Sequence, residues 1–447
     1  MPHGALSATP DAGGASPTGK GDLPRLPIRT HLAISSFWLA NNLHWGALGI
    51  LIVPNQATRM QTLVGLKEAE ITGWTIGMGA IVGALVPPIV GMLSDRCRSP
   101  LGRRRPYVIG GTVLNIAALF IFYLAFRSGS LAAYIAAWML IGLGNNIAVG
   151  AYSGIIPDVV PAPERGVASG WMAGMQQVGM IGGFLIGGML MTKGREQDLA
   201  ALAVIAGVLG IITAITVLGT PERRLTQVSP FRWQELKSCF WLDPRKHPDF
   251  GWVWITRAFF TTGWWLIQPT LQYFMRDVVR SEDPAAAVSL LGGVVLIAAV
   301  FTGVAGGVLS DRWGRKRIIC IAGLEMAVTC AGFAALGWLP VELRVGGVYA
   351  LAVLWGCGYG AYLSVDWALG TDVLPNPDDA GKDMGVWHLS MVVPQALAAP
   401  AAGLLLRPFA GAAGQGYTLG GYTLLFGVSA IFMVLCGALI FQVKKAR

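Results

Sequence analysis

Charged residues are scarce in this chain. They make up 13% of its 447 residues, whereas hydrophobic residues make up 54%. Water-soluble globular proteins carry roughly 25% charged residues, so the composition excludes an ordinary soluble globule and indicates a chain that lies in a bilayer. At about 20 apolar residues for each spanning helix, the length provides roughly a dozen spans and leaves no room for a catalytic domain.

Cysteine and histidine are also few. The six cysteines are scattered without a CxxC spacing, and the five histidines show no metal-binding spacing. No motif of a catalytic nucleophile is present. We therefore predict that the protein is not an enzyme and has no resident cofactor or metal.

Long apolar runs predict twelve membrane helices. Residues 1–30 lack the apolar core and basic start of a signal peptide, so we expect a disordered cytoplasmic tail there. The helices group into a six-helix bundle over 31–219, a cytoplasmic linker over 220–250, a second six-helix bundle over 251–443 and a cytoplasmic tail over 444–447. The predicted spans are 31–54, 71–94, 107–126, 131–155, 166–191, 199–218, 251–274, 286–309, 318–338, 345–370, 384–406 and 417–443.

The distribution of lysine and arginine predicts the orientation. With the N-terminus in the cytoplasm, that side carries 23 of the 33 basic residues and the opposite side carries nine. The positive-inside rule therefore places both termini in the cytoplasm. The net charge of +9 follows from this bias, so we expect no nucleic-acid partner.

The two bundles are predicted to be copies of one unit. The segment GMLSDR at 91–96 returns as GVLSDR at 307–312, and basic residues follow each copy. Such a repeat of six helices is typical of transporters. Three pairs of landmarks recur at nearly the same separation: Asp95 and Asp311 at 216 residues, Asp158 and Asp372 at 214, and Pro54 and Pro269 at 215.

These repeated loops resemble the G-x-x-x-D-R-(x)-G-[RK]-[RK]-[RK] signature of the major facilitator superfamily, and the resemblance covers nearly everything after the N-terminal tail. In the first copy, four extra residues separate Asp95 from Gly102 compared with Asp311 and Gly314. This longer form, SDRCRSPLGRRRPY, resembles the glycoside-pentoside-hexuronide:cation symporters and the sucrose transporters.

The resemblance implies an all-α membrane fold of two pseudo-symmetric six-helix bundles around a central cavity. It also implies that Asp95 faces the start of the eleventh helix and that the arginines latch the bundles together in the outward-open state. The alternative is an arginine cluster that only fixes topology. The candidate gating residues of these loops are Asp95, Arg96, Arg103, Arg104, Asp158, Arg165, Asp311, Arg312 and Asp372.

Charges inside the predicted spans are functional candidates, because a charge in the bilayer is costly. Asp366 on helix ten and Arg257 on helix seven lie at similar depth, so we predict that they pair, either as a coupling or gating site or as a static bridge. For Glu325 on helix nine we expect a structural partner near the second arginine loop, with a proton site as the alternative.

Amides and aromatic rings near the middle of the spans favour a sugar as substrate. Amides bind hydroxyl groups, and aromatic faces stack on sugar C–H faces. For any one of these residues the alternative is a hydrogen bond between helices or an ordinary core ring. The candidates are Asn41, Asn42, His44, Trp45, Asn145, Asn146, Gln176, Gln177, Trp264, Trp265, Gln268, Tyr359 and Tyr362.

Two departures from the resembled families bear on the driving ion. Ser153 stands where sucrose transporters carry an arginine on helix four, and 72–85 contains no carboxylate where the sodium-coupled melibiose type carries an acidic pair. We therefore expect a proton gradient as the driving force, through Asp366 or His44, rather than sodium.

These observations predict a proton-coupled symporter that moves a sugar or glycoside by alternating access. We expect a monomer in a bacterial inner (plasma) membrane, with a small-molecule substrate and the lipid bilayer as its partners. Two alternatives remain: an exporter of amphiphilic metabolites or drugs, and a non-transporting assembly factor of the same fold.

Overall fold

The protein is helical throughout the part that the computed structural model describes. That part comprises residues 26–161, 164–192, 194, 196–222, 240, 242–374, 380–412 and 415–444, without the side chains at 156, 157, 165, 166, 311, 371, 380–382 and 384. Within it there is no β-strand, and one isolated bridge joins Ala410 to Tyr417. Among the described residues, ten helices are long and apolar enough to cross a membrane.

Twelve helical segments, α1 to α12, occupy the positions that the apolar runs predict. We call the side on which α1 begins and α12 ends the tail side, and the opposite side the far side. The uninterrupted helices are α2 Glu68–Asp95, α3 Arg105–Ser128, α4 Leu131–Tyr152, α5 Arg165–Leu190, α6 Asp198–Gly219, α8 Pro284–Trp313, α9 Arg315–Ala335, α10 Val341–Asp372, α11 Ala380–Leu406 and α12 Leu419–Leu439.

Helices α1 and α7 are interrupted near the two prolines of the repeat. In α1, Ile28–Ala47 continues through a π-helical turn, Leu48–Ile52, into Val53–Val64. Pro54 has no N–H to donate to the carbonyl of Ile50, which disrupts the regular helix there. The helix nevertheless continues to Val64, past its predicted end at 54.

Helix α7 is interrupted in the same way. Pro248–Ile267 is followed by a 3₁₀ turn around Pro269, by Leu271–Phe274 and by a π-helical turn, Met275–Val279. It too runs beyond its predicted end at 274. Such interruptions place irregular backbone at the far-side ends of α1 and α7, and irregular backbone at membrane depth must be buried in protein or line a cavity.

Each half of the chain has its own apolar core. Buried residues mainly of α7 to α12 form one large cluster, which also includes Leu51, Ala69 and Phe184 of the first half. Those of α1 to α6 form two smaller clusters, one of which includes Ala285 and Ala399 of the second half. Most buried apolar residues of each half thus belong to clusters of that half, and a few residues connect the clusters across the halves. Of the predicted linker, 223–239 and 241 lie outside the described residues.

The two halves meet closely on the far side. A Cβ at Gly403 of α11 would lie 2.6 Å from the Ala69 carbonyl of α2, so the backbones are in contact. Between α5 and α8, the Phe184 ring fills the space where a Cβ of Gly292 would stand, and Ser289 Oγ donates to the Phe184 carbonyl at 2.7 Å. Small residues permit this close approach of membrane helices. The structure is therefore closed on the far side.

Replacement of Gly403 by leucine should force the far side open, because a side chain there meets backbone that cannot move aside. Overpacking of this kind typically costs about 1–3 kcal/mol. Spin labels at Leu63 and Leu343, which are 71% and 58% exposed, would report a longer far-side distance by double electron–electron resonance.

The control is Gly110→Leu on α3, since a Cβ there meets open space. An unchanged distance in Gly403→Leu, with the protein folded, would contradict the interpretation that this contact holds the far side closed.

Candidate functional site: a central cavity between the halves

A small cavity of about 90 Å³ lies between the two halves. The C-terminal half contributes an aromatic wall in which the Trp264 ring stacks on Tyr359, with centroids 5.4 Å apart and planes 17° apart. Gln268 Oε1 and Trp355 Nε1 are buried and have no hydrogen-bond partner among the described residues. The surface of the wall is therefore aromatic, and an acceptor and a donor lie buried within it. The N-terminal half contributes Ile50, Met180 and Phe184.

Three of the predicted substrate residues, Trp264, Gln268 and Tyr359, line this cavity. Trp265, the neighbour of Trp264, packs against both apolar cores. Tyr362 lies deeper, 2% exposed. The structure thus brings together the predicted residues of α7 and α10.

The predicted polar residues of the N-terminal half are placed differently. Asn42 Nδ2 donates to the Trp38 carbonyl at 2.9 Å, and Asn146 Nδ2 donates to the Gly142 carbonyl at 2.8 Å. Both amides bond to their own helix because a carbonyl four residues earlier lies within reach. Asn41 and Asn145 are buried, and Gln176 and Gln177 are half-buried on α5. None of these six belongs to the described lining of the cavity.

His44 and Trp45 point into the N-terminal half. The His44 ring is fully buried and neighbours Asn115 of α3. The Trp45 ring meets the edge of Trp138 on α4 at 5.5 Å. Asn115, a single amide in an apolar span, was not singled out from the sequence, although its polarity there is a recognisable signal.

The predicted pair of Arg257 and Asp366 is present. Arg257 Nε lies 3.1 Å from Asp366 Oδ2, and Tyr362 OH donates to Asp366 Oδ1 at 3.2 Å. The guanidinium carbon sits 3.2 Å above the centre of the Trp387 ring, a cation–π contact. Both charged side chains are buried, and each is the counter-ion of the other. The coupling role of the pair stays a prediction.

The expectation for Glu325 was wrong about its partner. Its Oε1 accepts from Thr329 Oγ1 of the same helix at 2.9 Å, and its Oε2 fills the space beside Gly358 of α10. Glu325 lies ten residues into α9, so the arginine loop at the start of that helix is about 15 Å away along the axis at 1.5 Å per residue.

The far-side contact includes polar bonds from α7 to the backbone of the other half. Gln272 Nε2 donates to the carbonyls of Ile50 and Leu51 at 3.0 and 2.7 Å. The Ile50 carbonyl is the one that Pro54 leaves without a helical donor. Tyr273 OH lies 2.6 Å from Thr72 Oγ1 and 3.1 Å from the Pro54 carbonyl. These bonds hold α7 against α1 and α2.

An ion pair also crosses between the halves on the far side. Arg276 Nη2 lies 2.6 Å from Glu68 Oε1, and its Nε lies 2.6 Å from Asp277 Oδ1. Asp277 Oδ2 accepts from the Tyr417 N–H at 2.9 Å, and Tyr417 OH accepts from the Ala69 N–H at 3.1 Å. Burial, and then the nearby Glu68 carboxylate, raises the pKa of Tyr417 well above its usual range, so this phenol stays neutral. We refer to Glu68, Gln272, Tyr273, Arg276, Asp277 and Tyr417 as the far-side network.

The far-side network was missed from the sequence. Glu68 precedes the predicted start of the second span at 71, and Arg276 and Asp277 follow the predicted end of the seventh at 274. They were therefore treated as loop residues. The repeated prolines Pro54 and Pro269 were the available signal, since they mark the ends of the helices that meet there.

On the tail side, the described ion pairs of the repeated loops join residues of the same half. Arg104 contacts Asp95 at 2.5 Å and Asp158 at 3.1 Å, and Arg103 also pairs with both aspartates. In the second half Arg315 pairs with Asp372. Asp158 and Asp372 thus have matching arginine partners at the start of α3 and of α9, as the repeat implies.

The remaining loop candidates are placed as follows. Arg96 Nη1 donates to the Met92 carbonyl at 3.0 Å, and Arg312 is exposed at the end of α8. The side chains of Arg165 and Asp311 lie outside the described residues. The latch between Asp95 and the eleventh helix, expected for the outward-open state, stays a prediction.

Two six-helix halves that enclose a cavity and close on one side define a membrane transporter. The chain belongs to the Major Facilitator Superfamily, whose family model matches residues 32–398. Two curated relatives are transporters. The sucrose transport protein SUT3 of Oryza sativa subsp. japonica is 25% identical over 73% of this chain and 78% of its own length. The general alpha-glucoside permease of Schizosaccharomyces pombe is 27% identical over 34% of this chain and 30% of its own length.

A bacterial homologue of the iron transporter ferroportin has the same fold. Its inward-facing structure superposes with a TM-score of 0.68 and its outward-facing structure with 0.60, at 14% and 15% identity. Each match covers 94% of this chain and 99% of the other. The better score belongs to the inward-facing state.

Replacement of Arg276 by glutamine should destabilise the closed far side, because Glu68 would be left buried without its cation. Loss of one partner of a charged hydrogen bond costs about 1–3 kcal/mol. The fraction of molecules with the longer far-side label distance should rise. Arg344→Gln, which removes hydrogen bonds to carbonyls within the C-terminal half only, should leave that fraction unchanged; an equal rise there would refute a specific role of Arg276.

The Arg257 and Asp366 pair should show strong energetic coupling. Asp366→Leu or Arg257→Met alone leaves an uncompensated buried charge, at a typical cost of about 3–5 kcal/mol, whereas the double variant should recover most of the loss. Thermal unfolding in detergent measures this. The control is the more exposed pair of Arg315 and Asp372, worth about 0–1 kcal/mol. Additive losses at Arg257 and Asp366 would contradict a direct pair.

Proposed function

We propose that the protein is a proton-coupled symporter of a sugar or glycoside that works by alternating access. The observation that carries this proposal is the aromatic wall of the central cavity, from which stacked rings lead to the buried pair of Arg257 and Asp366. Flat rings beside unpaired amide and indole groups suit a sugar. The names of the relatives, a sucrose transport protein and an alpha-glucoside permease, support the same substrate class.

We propose that the tail side is cytoplasmic. The excess of basic residues on that side supports this orientation. A far side that is closed then corresponds to a state that is not outward-open. The better superposition on the inward-facing ferroportin homologue is in agreement.

The charge pair supplies a reason for proton coupling. When Asp366 is ionised it balances Arg257, so both can stay buried among apolar side chains. When Asp366 binds a proton, Arg257 is left without its counter-ion and favours an arrangement that opens to water. A proton would thereby change the relative stability of two arrangements, which is what coupling requires.

The N-terminal half offers no equivalent charge at the positions considered. Ser153, which stands in place of the arginine of the sucrose transporters, donates to the Gly150 carbonyl of its own helix at 2.9 Å. We therefore place the coupling charge in the C-terminal half, with a proton rather than sodium as the proposed coupling ion.

Proteoliposomes with an acidic exterior should accumulate a radiolabelled glucoside, and Asp366→Asn should abolish accumulation while sugar-for-sugar exchange continues. Exchange needs only the two conformations, whereas accumulation needs the proton. Accumulation should fall at least tenfold. Glu342→Gln, an exposed change on the same helix, serves as the control.

Other outcomes would decide against this function. Accumulation by Asp366→Asn at the wild-type level would refute its coupling role. Movement of the label against the expected direction would favour an exporter, and no sugar movement in either direction would favour a scaffold.

A further inference from the structure

Two stripes of side chains face each other between α7 and α10. Residues spaced three and four apart lie on one face of a helix. Helix α7 runs toward the far side and α10 returns from it, so the stripes meet in opposite order. The α7 stripe is Arg257, Phe260, Trp264 and Gln268, and the α10 stripe is Trp355, Tyr359, Tyr362 and Asp366.

The aromatic members of these stripes form a continuous stack. Trp264 stacks on Tyr359 at 5.4 Å, Tyr359 on Phe260 at 6.3 Å, and Phe260 on Tyr362 at 3.7 Å, with planes within 17° of parallel in each case. One end of the stack, Trp264, lines the cavity. At the other end, Tyr362 OH donates to Asp366.

The N-terminal half contains a similar pair of rings without the charge. Phe37 stacks on Tyr152 at 4.3 Å with planes 17° apart, and Tyr152 OH donates to the Ile34 carbonyl at 2.7 Å. Tyr152 and Asp366 are 214 residues apart and so occupy equivalent positions of the repeat. A stacked phenylalanine and tyrosine therefore serves packing in one half and reaches a buried carboxylate in the other.

We propose that Phe260 and Tyr362 are positioning residues that transmit the charge state of Asp366 to the Trp264 wall of the cavity. This inference rests on the proposed function and names the contact through which proton and sugar would affect each other. Rings 3.7 Å apart in a close-packed interior cannot shift independently. A change at Asp366 that moves Tyr362 must therefore move Phe260, and we expect it to reach Tyr359 and Trp264 through the ring contacts at 6.3 and 5.4 Å.

Few titratable or charged groups near Asp366 could respond to a change in its charge. The titratable or charged groups that face it are Arg257 on α7, Tyr359 and Tyr362 on α10, and Cys436 on α12, while His388 of α11 lies near Arg257. Asp366→Asn at constant pH mimics the neutral carboxyl and leaves these neighbours chemically unchanged. The response of Trp264 can then be assigned to Asp366.

The experiment uses full-length protein labelled with 5-fluorotryptophan and ¹⁹F NMR in detergent, with Trp264→Phe to assign the Trp264 resonance. Asp366→Asn should move this resonance in the otherwise wild-type protein. The shift should disappear in Phe260→Leu, which interrupts the stack, and return in Phe260→Tyr, which restores a ring. Tyr362→Phe keeps the ring and removes its bond to Asp366, so it should also weaken the response.

The control is Phe37→Leu, which removes a stacked phenylalanine and tyrosine in the N-terminal half and should leave the response to Asp366→Asn intact. Loss of the response in Phe37→Leu would overturn the proposal, because general loosening would then explain the result. A response that survives in both Phe260→Leu and Tyr362→Phe, or one that is absent in the wild-type background, would overturn it as well. If Phe260→Leu fails to fold, the proposal is tested by Tyr362→Phe, which should weaken the response, and by Phe260→Tyr, which should retain it.

Transport gives a separate measurement. In proteoliposomes, Phe260→Leu should keep sugar exchange but lose accumulation under a pH gradient to the level of Asp366→Asn, whereas Phe260→Tyr should restore it. If the wild-type protein moves no sugar, the proposed function fails while the NMR comparison still tests the link between Asp366 and Trp264. The two failures are therefore distinguishable.

Discussion

The absence of water in the hydrocarbon core governs this structure, because a polar group placed between the helices is costly unless it finds a partner in the protein. The chain meets this requirement at two levels. Deep in the C-terminal half, Arg257 is balanced by Asp366 and covered by Trp387. At the far side, the far-side network joins the halves. A movement between halves can break the second set while the first stays buried.

The repeat is symmetric in its framework and asymmetric in its chemistry. Both halves pair an arginine at the start of the third helix with an aspartate at or after the end of the fourth, and both have a proline near the far end of their first helix. The buried ion pair is present in the C-terminal half, whereas the equivalent region of the other half contains Tyr152 bonded to a backbone carbonyl. The helices can pack closely with only these shared features, so the buried charge can differ between the two halves.

The sequence predicted the helices, the repeat and the Arg257 and Asp366 pair, because each leaves a strong one-dimensional signal. Apolar runs mark the spans, and a charge within a span must be paired. The far-side network left a weak signal, since Glu68 and Arg276 lie just outside the apolar runs. The partners of Asn42, Asn146 and Glu325 were not predictable from position alone. Each side chain bonds within its own helix, and this depends on its rotamer and on how the helix is turned toward its neighbours.

The polar bonds from α7 to α1 end mostly on main-chain carbonyls. Gln272 donates to Ile50 and Leu51, and Tyr273 contacts the Pro54 carbonyl. Every amino acid supplies a carbonyl, so substitution of the α1 side chains does not delete these acceptors. Evolution therefore constrains the two sides of this contact differently. The donor helix must retain its glutamine and tyrosine. The acceptor helix can change its side chains as long as its backbone path is preserved.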